Sequence, residues 1–122
     1  MKHKTAVWLA SPAATNYPAA RAYLSLFFDV RASAALVRKL KRAPVSAFFV
    51  KDIARASGHS LLGISNAHVE RDRKKLRSGR ALSPLLLVRD PANGRVIVAD
   101  GYHRMCAVYS YDEDAVVPCK IV

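Results

Sequence analysis

A mixed α+β domain, a small sheet flanked by helices, is the fold class this sequence predicts, and three observations predict it. Apolar residues recur at helical spacing through the first third, short β-branched runs dominate the remainder, and turns bearing Pro or Gly separate the two patterns. With 122 residues, 52% of them apolar, the chain is sized for one domain. Such a domain buries roughly two-thirds of its unfolded surface without needing disulfides or metal.

The elements follow in order. Asn16 is placed to cap a first helix with Pro18 in its opening turn, and Ala20, Leu24, Phe27 and Phe28 share one face. Asp29 caps a second helix, in which Leu36, Val37 and Leu40 form the apolar stripe and Pro44 marks the end. Tyr17, Tyr23 and the Phe27-Phe28 pair read as core or docking residues. Residues 45–50, with Phe48-Phe49, read as a strand, 51–56 as a short helical turn closed by Gly58, and 59–65 as a loop. Asn66 caps a polar helix over about 67–77, with Val69, Leu76 and Ala67 nearly its only apolar residues and Ser78-Gly79 its stop.

Residues 82–88 and 95–99, joined by Asp90-Pro91-Ala92-Asn93-Gly94, make a hairpin or neighbouring strands. A turn at Gly101 opens another helix, Asp112-Glu113-Asp114 forms an acidic loop, and 116–122 closes the chain as a strand. The order is α-α-β-α-β-β-α-β. Residues 1–43 form a helical extension packed on a core domain of residues 44–122, and the apolar faces of its two helices are expected to cover the sheet or make an oligomer contact, a dimer for example.

The formal net charge is +11. Basic residues concentrate in Arg38-Lys39-Leu40-Lys41-Arg42 and over 71–80, where Arg71, Lys74, Lys75 and Arg77 are offered to solvent or to a partner. A field of this sign favours polyanions: nucleic acid, nucleotides or an acidic protein surface. A solvated helix face is the plainer alternative, and neither cluster has the interleaved aromatics of a single-strand binder. No apolar run approaches the ~20 residues that cross a bilayer. The first ten residues imitate a signal peptide, but Ser11-Pro12 interrupts a short apolar part, so the expectation is a cytoplasmic protein without membrane association. Cys106 and Cys119 do not form a zinc motif; they are expected to pack as small buried side chains, with no metal site.

The richest stretch is Asp100-Gly101-Tyr102-His103-Arg104, between a β-branched run and a helix-like run. A strand that turns at Gly into a helix leaves unpaired N–H groups that attract anions, phosphate above all. His103 and Arg104 add a titratable donor and a fixed charge at the first turn. Asp100 reads either as an N-cap or as a carboxylate that orients His103, holds Mg²⁺ or serves as a base.

From residue 44 onward the chain resembles the ParB/sulfiredoxin superfamily. The resemblance rests on Leu82-Ser83-Pro84-Leu85-Leu86-Leu87-Val88, on Val96-Ile97-Val98-Ala99 with the box at 100–104, on Ala107, and on Val117-Pro118-Cys119-Lys120-Ile121-Val122. Sulfiredoxins carry their catalytic cysteine where this chain has Tyr102, so a sulfiredoxin reaction is not implied. ParB partition proteins read Gly-Glu-Arg-Arg and append a helix-turn-helix domain that these residues do not include, so centromere binding by that route is not expected. Free-serine kinases, with an Asp-Gly-His-His-Arg box, are the nearest branch; they use a carboxylate near the end of the first strand, where this chain places Asp52.

The resemblance implies a small sheet with flanking helices that binds a nucleotide or other phosphate-bearing small molecule, such as ATP, ADP or CTP with Mg²⁺, for phosphotransfer or nucleotide hydrolysis. Gly101 would allow close backbone approach, Tyr102 and His103 would offer first-turn N–H groups, and Arg104 would clamp phosphate bidentately. His103, Asp100 and Asp52 are the candidate catalytic residues. Two alternatives stand beside this: nucleic-acid binding or ParB-like nuclease action through the basic surface, and an interaction module whose box no longer works. Carboxylates clustered at metal-ligand spacing, as nuclease chemistry needs, are absent.

Overall fold

The computed structural model describes residues 6–63 and 66–122. Among them are five α-helices: α1 (Asn16–Leu24), α2 (Val30–Arg42), α3 (Val50–Ser57), α4 (Ala67–Ser78) and α5 (Tyr102–Tyr111). Four strands, β1 (Ser46–Phe49), β2 (Leu85–Asp90), β3 (Arg95–Asp100) and β4 (Val116–Ile121), form one sheet in the order β1-β4-β2-β3. The central pair β2/β4 is parallel and both outer pairs are antiparallel. The fold is therefore the α+β class that the sequence predicts.

Both sheet faces are covered, which explains the unbroken apolar run at Leu85-Leu86-Leu87-Val88. Leu85 and Leu87 join Val98, Val117 and Cys119 against Val50, Ile53, Val69, Leu76, Met105 and Cys106 from α3, α4 and α5. Leu86 and Val88, alternating with them, join Ile97 and Ala99 against Ala20, Leu24, Val37 and Leu40 from α1 and α2. The first two helices thus cover the second face of the sheet. Each fully buried leucine there, Leu24, Leu40 and Leu86, contributes about 1.5–3 kcal/mol. Lys120, buried on β4, donates to the Lys41 carbonyl at 2.9 Å and so caps the C-terminus of α2.

Several boundaries are set by interactions distant in sequence. Thr15, not Asn16, is the N-cap of α1; Asn16 lies inside the helix, and its side-chain oxygen accepts from the Ser83 hydroxyl. That helix stops at Leu24, so Phe27 is exposed under the Arg95 guanidinium, 5.3 Å from its ring centre. Val50 leaves the strand, its N–H bonding the Ala115 carbonyl at 2.8 Å, and begins a two-turn helix in place of the short turn expected at 51–56. β2 begins at Leu85 and not at Leu82, since Pro84 has no N–H for a ladder. Leu82 instead pairs with Trp8: Leu9 N–H bonds the Leu82 carbonyl and Leu82 N–H the Val7 carbonyl, each at 2.8 Å. The caps Asp29 and Asn66 form as expected, Asp29 accepting from Ala32 N at 2.7 Å and Asn66 from His68 N and Val69 N at 3.0 and 3.2 Å. Of the loop expected at 59–65, residues 64–65 lie outside the described residues, as do residues 1–5 of the leader-like start. No helix among the described residues is long and apolar enough to cross a membrane. Cys106 and Cys119 are free and buried, and burial pushes the Cys119 thiol up to about 11.

Candidate functional site

The box sits where β3 ends and α5 begins. Gly101, at φ 104°, is the N-cap of α5, so Asp100 is the last strand residue and not a cap. A Cβ at Gly101 would run into Leu85 Cδ2 and come within 2.8 Å of Arg104 Nη2. Glycine is required here by both conformation and space, and the close approach it permits is that of Leu85 and Arg104. A glycine cap offers no side chain to the first-turn N–H groups of α5, and none bonds them.

Arg104 is largely committed within the chain. Its Nη2 donates to Asp100 Oδ2 at 3.0 Å, both side chains being about 15% exposed, and reaches the Pro84 carbonyl at 3.5 Å. Its Nε is buried with no hydrogen-bond partner. Arg104 therefore braces the turn through Asp100, and its geometry is that of a strut more than of an open clamp. Tyr102 donates its hydroxyl to the Ser60 carbonyl, tying the loop after α3 to the box, and burial pushes its phenol pKa up.

Two clefts meet across the box. The polar one, of about 420 Å³, is lined by all five box residues, by Arg71, Asp72 and Lys75 of α4, and by Ser83 with Asn16. The other, of about 400 Å³, is walled by Tyr23, His59 and Tyr102 and floored by Ala19, Val98 and Ala99; Asp100, Gly101, Tyr102 and His103 line both. Ser83 shapes the polar cleft by accepting from Ala13 N at 3.0 Å while donating to Asn16, which holds the N-terminal segment over one wall.

On the α4 wall, Arg71 and Lys75 were legible in the sequence, while Asp72 and His68 were not. His68, Arg71, Asp72 and Lys75 fall at i, i+3, i+4 and i+7 on one stripe of the helix. That stripe turns toward the box because Val69 and Leu76 anchor α4 in the core, while Arg73 bonds the Ser110 hydroxyl of α5 at 2.6 Å. Asp72 is the unusual member. Its side chain is 5% exposed, and it faces the Lys75 ammonium at 3.9 Å, too far for a hydrogen bond. A carboxylate so buried calls for a donor or cation beside it.

His68 and His103 lie with ring centres 4.8 Å apart. Desolvation, first, and then His68 push the His103 pKa below the ordinary 6.5; Asp72 opposes and Arg71 reinforces the shift. His103 is therefore neutral at neutral pH, and with Arg104 paired to Asp100 the fixed positive charge left for a ligand in the cleft comes from Arg71 and Lys75.

Of the basic residues singled out from the sequence, Arg71 and Lys75 reach the polar cleft. Lys74 is exposed and lines neither cleft, while Arg77 bonds Glu70 at 2.9 Å. Asp52 is not brought to the box. It sits in the first turn of α3, 4.0 Å from Arg55, and lines a separate cavity of about 230 Å³ with Arg89 and Val96. The acidic loop is used structurally: Asp114 pairs with Lys51 at 2.6 Å. Among the described residues, no group of three or more His, Cys, Asp or Glu is placed to hold a metal ion.

Asp72, His68, His59 and Tyr23 escape a reading of the sequence by motif. The i, i+3, i+4, i+7 stripe on α4 was the available signal for the first two. No family model, curated protein or solved structure matches the chain.

Proposed function

We propose that this chain binds a nucleotide astride the box, with the phosphates in the polar cleft and the base in the aromatic one. The observation that carries this reading is the meeting of two clefts of unlike chemistry across Asp100, Gly101, Tyr102 and His103. One side offers Arg71, Lys75 and the uncapped N-terminus of α5 to oxyanions. The other offers Tyr23, His59 and Tyr102 as ring surfaces for a flat heterocycle. The resemblance to the ParB/sulfiredoxin superfamily supports the same placement.

In this reading Arg104 and Asp100 position the turn. Neutral His103 takes a proton from an attacking hydroxyl or water, for phosphotransfer or nucleotide hydrolysis. Asp72 fits a Mg²⁺-nucleotide as its carboxylate contact, because Asp100 is already bonded to Arg104 and such ions need only one or two protein carboxylates beside phosphate oxygens. ATP, ADP and CTP are the ligands to try first. Nucleic-acid binding draws less support, since two of the five α4 cations, Arg71 and Lys75, turn into the cleft, Arg73 bonds Ser110 and Arg77 is bonded to Glu70.

A thermal-shift panel of ATP, ADP, CTP and GTP, each with and without Mg²⁺, tests the reading. A nucleotide at a hundred times its Kd adds about 2.7 kcal/mol to stability. The expected result is a clear shift for at least one nucleotide that disappears in Arg71→Ala/Lys75→Ala. No shift with any of the four overturns the reading.

A further inference from the structure

The packing of α1 on α2 leaves a groove of about 440 Å³ on the outer face of the molecule, away from the box. Its walls are Tyr17, Pro18 and Ala22 from α1, Ser25 just after it, and Val30 and Val37 from α2. Arg21 and Lys41 line it, and the Lys41 ammonium sits 5.6 Å from the Tyr17 ring centre. Around the α1–α2 connection large apolar side chains stay in water: Val30, which lines the groove, is 68% exposed and Leu26 is 77% exposed. Large apolar side chains left in water next to an apolar groove mark a surface suited to association.

The charge around the groove is one-sided. Residues 16–42 hold six basic residues, Arg21, Arg31, Arg38, Lys39, Lys41 and Arg42, and a single carboxylate, Asp29. Asp29 is spent on capping α2, and none of the six cations forms an ion pair among the described residues. Several cations elsewhere are paired: Arg77 has Glu70, Arg95 has Asp90, and Lys51 has Asp114. An apolar trough with a cationic border selects a partner that is apolar on one side and acidic on the other. A nucleic acid would satisfy the border and leave the trough wet.

We propose that the α1–α2 groove docks an acidic amphipathic helix from a protein partner. Its apolar i, i+3, i+4, i+7 residues would lie between the two helices, and its carboxylates would meet Arg21 and Lys41. The groove shares no lining residue with either cleft at the box.

The probe is a fluorescein-labelled peptide of about five helical turns, with Leu on the i, i+3, i+4, i+7 face and Glu elsewhere. Its anisotropy is followed on titration with the full chain. A peptide with Lys in place of Glu and a short duplex DNA serve as comparisons. The acidic peptide binds at least about tenfold tighter than its basic counterpart, and Arg21→Glu/Lys41→Glu weakens it by a similar factor. Val30→Glu, which puts charge into the trough without touching the border, weakens it too. All three residues are exposed, so the variants keep the fold, which circular dichroism checks. Equal binding of the two peptides overturns the proposal, as does affinity unchanged in both variants. So does duplex DNA that displaces the acidic peptide and loses its affinity with Arg21→Glu/Lys41→Glu, which would assign the border to nucleic acid.

Discussion

Replacing Gly101 with alanine tests the geometry of the box more sharply than any other single change. The backbone there has φ 104°, where an L residue costs about 1–3 kcal/mol. The added Cβ also collides with Leu85 Cδ2 and lies 2.8 Å from Arg104 Nη2. Neither neighbour yields readily: Leu85 is wholly buried in the core, and Arg104 is held by Asp100 at 3.0 Å. Forcing an extra carbon into such a site costs about 1–3 kcal/mol more. The total, about 2–6 kcal/mol, is a large share of the roughly 5–15 kcal/mol that holds a domain together. At this chain length each kcal/mol lowers Tm by about 4 °C, so Gly101→Ala should melt roughly 8–24 °C below wild type.

Gly94→Ala is the control, because Gly94 also has positive φ, 61°, but nothing lies within 4 Å of its would-be Cβ. It should cost only about 1–2 kcal/mol. Urea unfolding followed by far-UV circular dichroism and by the fluorescence of the single tryptophan, Trp8, measures both variants. If Gly101→Ala lies within about 0.5 kcal/mol of Gly94→Ala, the packing of Leu85 and Arg104 on the turn is refuted.

Three further outcomes follow from the same structure. Removing Arg71 or Lys75 singly should weaken nucleotide binding about 10–100-fold, whereas Lys74→Ala should change it less than about twofold; calorimetric titration of the three variants decides this. Because burial and then His68 hold the folded-state pKa of His103 below 6.5, the unfolded chain takes up its proton first as the pH falls. Stability should therefore decline from pH 6.5 downward until the folded-state pKa is passed, and His103→Gln should flatten that part of a urea-midpoint profile measured against pH. Ser83→Ala should cost about 1–3 kcal/mol, since it leaves the Ala13 N–H and the Asn16 side chain without their partner. It should also raise amide exchange over residues 9–16, and exchange that stays at the wild-type level would count against Ser83 as the tie.

What the sequence disclosed was mainly local. Asp29 and Asn66 cap their helices through bonds two or three residues away, and Gly58 and Gly79 end theirs at positive φ, so pattern and turn chemistry suffice to find them. The box was legible because a β-branched run, a glycine and a helical run adjoin. What stayed hidden depends on distant residues. Leu82 looks like strand in isolation, yet its backbone partners are Val7 and Leu9. The α4 stripe resembles a solvated face until Val69 and Leu76 fix which side meets the core. Arg104 and Asp100 stand at i and i+4, a spacing that favours an ion pair within the turn over a pair reaching outward. Asp52 was assigned through resemblance alone, and the path of α3 carries it to the Arg89–Val96 end of the β2–β3 hairpin, away from Asp100.

The central claim is that one ligand spans both clefts, and amide and aromatic NMR shifts can test that directly. The wild-type chain would be titrated with ADP and, separately, with pyrophosphate. The account predicts that pyrophosphate moves the amides of Gly101, Tyr102, His103 and Arg71. ADP should move the same amides and also the ring protons of Tyr23 and His59. ADP shifts that leave those two rings untouched, or that gather on α2 while the box amides stay still, would contradict it.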